Sequence, residues 1–498
     1  MNPLIVLPLI LPFATATLAL ALNKNLERQY KASLLGGTLH CAACLLLLAN
    51  VYRDGMTVIQ VGKWPSPFGI TLAADHLSAI LVAITGILGL AVIVYSRVEI
   101  KPFLRRGGYD PLLHILLGGV CGAFLTGDLF NLYVWFEVML MASFGLIVLG
   151  REKIQFDGGV KYVMINLFST LLFIMGIGLL YGMTGTLNLA ALHGAVQSVP
   201  NPSVLMAVAG IFITAFGIKA GIFPLFFWLP VSYHTPPAAV SGILAGLLTK
   251  VGVYALIRLF TLVFITDMAW THDILLVLSI ATMITGVLGA AAFQEVRRIL
   301  SFHIISQVGY MVMGLALFTP LALTGTVFYL MHHMIVKANL FLISGAIRRA
   351  GGSFDLEKLG GLYKNKGQLA VLFFIPAFSL AGFPPLSGFW AKMILIRAAL
   401  ENAAYGTAAA AVGGGLLTVY SMTKIWGEAF WKPAPGSGRN KSPDHPLDPW
   451  MMAPIAVLAG MSLIIGLAPG LFISLSERAA FELTHPEIYI CAVLGALP

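Results

Sequence analysis

From Pro3 almost to the C-terminus the chain is a succession of apolar runs of about 18 residues or more, each a bilayer's worth of helix. Few folds are open to such a sequence. Peptide groups in hydrocarbon must find hydrogen-bond partners within the protein, which leaves helices and closed barrels. A barrel strand alternates polar and apolar residues over about ten positions, and that alternation is absent. The expectation is an all-α polytopic membrane protein. Composition agrees: 58% of residues are hydrophobic and 10% charged, a balance foreign to soluble domains.

Hydropathy and turn residues place about 14 helices, near 3–22, 31–51, 72–96, 111–127, 129–149, 158–183, 204–228, 236–262, 272–293, 301–319, 322–347, 368–398, 405–430 and 450–475. The seventh and twelfth are expected to be discontinuous, because Pro224 and Pro230 follow one and Pro384 and Pro385 interrupt the other. About twenty residues then follow the last helix as a tail. The first cations, Lys24, Arg28 and Lys31, come after the first apolar run, the reverse of a cleaved leader. Cys41 and Cys44 have CxxC spacing but sit inside an apolar helix, so they read as packing residues.

Cations cluster in alternate loops: Lys24, Arg28 and Lys31; Arg97, Lys101, Arg105 and Arg106; Arg151, Lys153 and Lys161; Arg297 and Arg298; Arg348, Arg349, Lys358, Lys364 and Lys366; Lys432, Arg439 and Lys441. The other side shows Arg53, Lys63, Arg258, Arg397 and Arg478. The positive-inside rule then places these rich loops in the cytoplasm and both termini outside. The net charge of +9 is a signal of topology, and no nucleic-acid motif accompanies it.

The sequence also echoes itself. Ala220–Leu225 (AGIFPL) resembles Ala381–Leu386 (AGFPPL), and the GLLT of Gly246–Thr249 returns at Gly415–Thr418. Each pair sets a proline break in one helix and GLLT in the next, five helices apart. Five is odd, so the two units are expected to lie inverted across the membrane. The divisions are helices 1–3 over 1–110, a first repeat over 111–262, a second over 272–430, and a C-terminal helix and tail over 450–498. Lys219 aligns with Leu380 and Lys250 with Val419, so the scaffold repeats while the charges do not.

Six ionisable residues fall inside apolar runs: Glu137, Lys219, Lys250, His333, Lys337 and Lys392. Each lysine at a helix centre costs about 2.5–3.5 kcal/mol to insert, too much for ornament in four places. Lysine, unlike arginine, can give up its proton when buried. Glu137 needs a cation, and Lys219 is the candidate. His333 and Lys337 are four apart and share a helix face, whereas His332 reads as packing. Lys250 reads as a relay and Lys392 as an exchange point with one aqueous side. Asp75 and Asp128 lie near helix ends, where capping and function are both open. Signatures of nucleotide loops, haem attachment, iron–sulfur clusters and HExxH metal sites are absent, so no cofactor or metal is expected.

The stretches IKAGIFPLFFWLPVSYHTPPAAVSGILAGLLTKVGVYALIR, MHHMIVKANLFLISGAI and AGFPPLSGFWAK closely resemble the antiporter-like subunits shared by respiratory complex I and the Mrp multisubunit cation/proton antiporters. The resemblance covers essentially the whole chain. It implies fourteen helices with two inverted five-helix repeats, a relay through Glu137, Lys219, Lys250, His333, Lys337 and Lys392, and a heteromeric complex including a larger homologous subunit. It implies exchange of sodium for protons across the cell membrane, and some complex I relatives have glutamate where this chain has Lys392. Na⁺ prefers clustered oxygens, so a lysine-rich row points to protons as the cargo here. The alternative is a proton-pumping subunit of a redox complex.

Overall fold

Helices occupy the apolar runs. The computed structural model describes residues 3–265, 268–434 and 447–495, so Arg439 and Lys441 lie outside the described residues. We label the long helices α1 (Leu7–Ala21), α2 (Leu26–Asp54), α3 (His76–Glu99), α4 (Tyr109–Leu125), α5 (Leu129–Val148), α6 (Lys153–Thr184), α7 (Pro202–Ala220), α8 (Ala238–Leu262), α9 (Met268–Ala292), α10 (Val296–Leu317) and α11 (Pro320–Gly351). They continue as α12 in two parts (Gly367–Ala381 and Ser387–Glu401), α13 (Tyr405–Ile425) and α14 (Pro449–Leu467). Among the described residues, ten helices are each long and apolar enough to span a membrane; α1, α4 and the first part of α12 are shorter apolar helices.

The surface is rich in exposed apolar side chains, and the mostly apolar core encloses buried polar and charged groups. Leu35 and Leu46 of α2, Met164 and Leu171 of α6 and Leu416 of α13 are exposed, while α8 and α11 are buried along almost their whole length. These two helices form the centre. Gly242, Gly246 and Lys250 follow one another at four-residue spacing and so share a face of α8. A Cβ on Gly246 would stand 3.3 Å from that of Ala338 and 2.9 Å from Leu88, so this face of α8 lies close against α11 and α3. The same face carries Lys250 toward α11. From α3, the Glu99 carboxylate accepts hydrogen bonds from the Ala238 and Ala239 N–H groups, both 2.7 Å, fixing the N-terminus of α8.

The breaks in helices seven and twelve share one design. α7 stops at Gly221 (φ 80°) and the first part of α12 at Gly382 (φ 96°), left-handed conformations that cost glycine little. Gly221 and Ile222 N–H both donate to Gly217 C=O (2.9 Å each), and Gly382 and Phe383 N–H both donate to Phe378 C=O at 3.0 and 3.1 Å. Pro224 and Pro384 lie beyond the stops, so each helix is terminated by a glycine cap before that proline is reached. A second pair of features matches. Asp128 bridges Asn188 ahead of α5, and Glu295 bridges Asp355 ahead of α10, each as an isolated antiparallel pair.

Three expectations are corrected. The last helix ends at Leu467 and Pro469–Thr484 forms a further helix, α15, that packs on α11 and α3; proline at its start lacks the N–H needed to continue α14. Thr57–Gln60 and Thr71–Ala74 pair as an antiparallel hairpin between α2 and α3. Arg258 is no loop cation: it is buried in α8, with Nη2 2.6 Å from the Asp75 carboxylate. Asp75 also caps α3 through Ser78 N–H at 2.8 Å, and Asp128 caps α5 through Asn131 N–H at 2.8 Å.

Breaking a buried ion pair from one side costs about 3–5 kcal/mol, because the surviving charge is left uncompensated. Arg258→Ala is therefore expected to lower the melting temperature of the purified protein, and Asp75→Ala/Arg258→Ala to recover part of the loss. Equal melting of the two variants would show that the pair is not coupled.

Candidate functional site: a buried polar row

α5, α6 and α7 bring the first group together. Glu137 is half-buried on α5, and its Oε1 accepts a hydrogen bond from Thr170 Oγ1 of α6 at 2.7 Å. Lys219 Nζ, in the last turn of α7, donates to the same hydroxyl at 3.0 Å and approaches Asn166 C=O at 3.4 Å. The expected partners are thus joined through Thr170, which the sequence reading missed. A hydroxyl can accept from the ammonium and donate to the carboxylate at once. The ammonium also lies 5.2 Å from the Phe136 ring centroid, within the range of a cation–π contact. A cavity of about 20 Å³, lined among others by Tyr162, Asn166, Lys219, Trp228 and Leu248, adjoins it; that is room for one water beside polar partners.

Lys219 is held close to α8. A Cβ on Gly252 would stand 2.7 Å from Ala220 N and 3.0 Å from the Lys219 carbonyl carbon, so the break in helix seven rests directly on this glycine. One half-turn earlier, Lys250 is fully buried and donates to Ala245 C=O of its own helix. Across from it on α11 stand His333 and Lys337, also fully buried. Neither nitrogen of His333 has a partner among the described residues, and an ammonium on Lys250 or Lys337 would disfavour a proton on it. Lys337 Nζ donates to Leu300 C=O of α10 at 3.0 Å.

Beyond Lys337 the row passes His303 of α10, which the sequence reading also missed. It is fully buried and shares a 2.6 Å hydrogen bond with Ser421 Oγ of α13. The available signal was a histidine inside the apolar run of α10, the same cue that singled out His333. Lys392 Nζ donates to Ala381 C=O, freed at the end of the first part of α12, at 3.0 Å. It faces the Tyr310 ring at 5.2 Å and adjoins a cleft of about 580 Å³ whose lining is mostly apolar, Met393, Val412 and Leu416 among it. His332 does more than pack: it shares a 2.8 Å hydrogen bond with Ser387 Oγ, which lies 2.9 Å from Ser379 Oγ and 3.0 Å from Ser462 Oγ.

The structure thus groups Glu137 with Lys219, and sets Lys250 on the face of α8 that meets α11, the helix of His333 and Lys337; Lys392 lies on the second part of α12. Among the described residues, direct hydrogen bonds link Glu137, Thr170 and Lys219 and none of the other members. The lysines farther along are each held by a backbone carbonyl, an acceptor that orients an ammonium without neutralising it.

The family model describing the membrane domain of NADH:quinone oxidoreductase and the Mrp antiporter matches residues 126–418, the span that holds the row. The D-type Na(+)/H(+) antiporter subunit of Alkalihalophilus pseudofirmus is 45% identical over 99% of this chain and 100% of its own length. Among solved structures, a chain of the Mrp complex from Dietzia sp. DQ12-45-1b superposes with a TM-score of 0.93 at 34% identity, covering 99% of this chain and 100% of that one. A chain of an archaeal membrane-bound sulfane sulfur reductase, 23% identical with a TM-score of 0.92, covers the same shares and shares the fold.

Proposed function

Since this chain belongs to the family of antiporter-like membrane subunits found in NADH:quinone oxidoreductase and the Mrp antiporters, we propose that it is the proton-carrying D-type subunit of a multisubunit Na⁺/H⁺ antiporter. The observation that carries the reading is the set of buried lysines and histidines between half-buried Glu137 and Lys392. Such a row can pass protons by successive transfer, while its cationic character repels a bare sodium ion. Two ammonium groups in one low-dielectric interior repel each other. A proton arriving near Lys250 therefore favours departure from Lys337 toward His303 and Lys392. At the other end, the Thr170 hydroxyl couples Lys219 to Glu137, so displacement of Glu137 by a neighbouring subunit would change how firmly Lys219 holds its proton.

The matched glycine caps at Gly221 and Gly382 and the matched bridges ahead of α5 and α10 support a division into two inverted five-helix units, 111–262 and 272–430, following helices over 1–110 and preceding 450–498. Loop cations favour a cytoplasmic membrane location with both termini outside. The partners are the other subunits of the complex, including a larger homologous one.

The second reading, a proton-pumping subunit of a redox complex, has in its favour the fold shared with the sulfane sulfur reductase chain. Sodium separates the two. In everted vesicles from a host lacking its own antiporters, the chain with its neighbouring subunits is expected to collapse an imposed ΔpH when Na⁺ is added. Proton movement indifferent to Na⁺ and strictly dependent on an electron donor would favour the redox reading instead.

A further inference from the structure

Away from the polar row, α2 and α4 bring together three side chains with soft ligand atoms. His40 and Cys44 are one helical turn apart on α2, and Cys121 comes from α4; all three are fully buried. His40 Nε2 lies 3.4 Å from Cys44 Sγ and 3.5 Å from Cys121 Sγ, and all three ligand atoms fall within 4.8 Å of one another. The CxxC spacing is misleading. Its second cysteine faces His40 and Cys121, at i−4 and across the helix interface, where the sequence places no motif.

We propose that His40, Cys44 and Cys121 form a binding site for a thiophilic d¹⁰ metal ion, Zn²⁺ or Cu⁺. A point equidistant from three atoms with these separations is about 2.0–2.4 Å from each, matching metal–nitrogen bonds of about 2.0–2.1 Å and metal–sulfur bonds of about 2.3 Å. The ligands are already placed, so the ion needs only small adjustments. Ligand chemistry narrows the choice: two thiolates and one imidazole select soft or borderline ions over Mg²⁺ or Ca²⁺, which want oxygen. Each thiol that binds loses its proton. Loading with Zn²⁺ releases both thiol protons and leaves the site neutral, a favourable outcome in a membrane interior; Cu⁺ with both sulfurs ionised leaves one negative charge but accepts three ligands without a fourth. The imidazole is oriented for this role: its Nε2 lies within hydrogen-bonding distance of both sulfurs, the position a ligating nitrogen takes. The site would clamp α2 to α4, and α4 in turn packs on α5, the helix of Glu137.

The test uses the intact complex, purified anaerobically with reductant and dialysed against metal-free buffer after exposure to Zn²⁺ or to Cu⁺, in a Cys491→Ser background that removes the exposed thiol. Elemental analysis is expected to find about one equivalent of metal per copy of this chain. X-ray absorption at the metal edge should give a shell of two sulfurs with one imidazole nitrogen, with the edge identifying which ion is retained. Cys44→Ala and Cys121→Ala should each reduce retention to background, and Cys41→Ser should leave it unchanged. Retention that survives both alanine variants would overturn the proposal, as would a shell without sulfur, no retained metal, or a Cys44–Cys121 disulfide in the reduced preparation. The absorption measurement on the unaltered chain decides the matter even if an alanine variant does not assemble.

Discussion

Lys250→Ala should reduce Na⁺-driven proton movement by about 100-fold or more, the scale on which removing a proton-transfer group acts, while leaving the complex assembled. Lys250 is fully buried and stands on the face of α8 that meets α11, the helix of His333 and Lys337. It is the only lysine in α8; Arg258 is two turns away and engaged with Asp75. Alanine leaves the Gly242–Gly246 contact intact and removes a buried amine, so the fold should tolerate it. Lys250→Arg is expected to fail almost as completely, because arginine keeps the charge but does not release its proton. Proton flux measured against the amount of assembled complex checks both. An arginine variant with normal flux would mean that the position supplies only a fixed positive charge.

The second large effect is expected at Thr170. Its hydroxyl lies 2.7 Å from Glu137 Oε1 and 3.0 Å from Lys219 Nζ. Thr170→Val keeps the shape and breaks both links. Hydrogen bonds to charged groups are worth about 1.5–3 kcal/mol, so flux should drop by about tenfold or more. Thr170→Ser, which restores the hydroxyl, should return most of it. If valine and serine variants transport equally well, Glu137 and Lys219 communicate without the hydroxyl and the bridge is incidental. Glu137→Ala should resemble the valine variant, since it removes the other end of the same connection.

The limits of the sequence are physical ones. Helices were legible because a bilayer's thickness fixes the length of an apolar run, and the six ionisable residues stood out because each is costly where it lies. Thr170 was not legible: threonine is ordinary in a membrane helix, and only the packing of α6 between α5 and α7 turns its hydroxyl into a bridge. Arg258 was misplaced because a cation near a helix end looks like a loop charge until Asp75 is seen beside it. α15 was hidden by low hydropathy: it lies against α11 and α3, and Glu482 on it accepts the His76 N–H at 2.9 Å. The CxxC spacing pointed to Cys41, yet the neighbour of Cys44 comes from α4, some eighty positions along the chain, with His40 between them. Contacts between helices distant in sequence leave no local pattern to read.

The central claim is that protons cross through this chain's buried row. It is tested most directly by measuring proton flux and radioactive sodium exchange in parallel, in proteoliposomes carrying the purified complex with either the native chain or Lys250→Ala. The account predicts that Lys250→Ala abolishes Na⁺-driven proton flux while sodium-for-sodium exchange continues through the rest of the complex. Undiminished proton flux in the Lys250→Ala complex would contradict it.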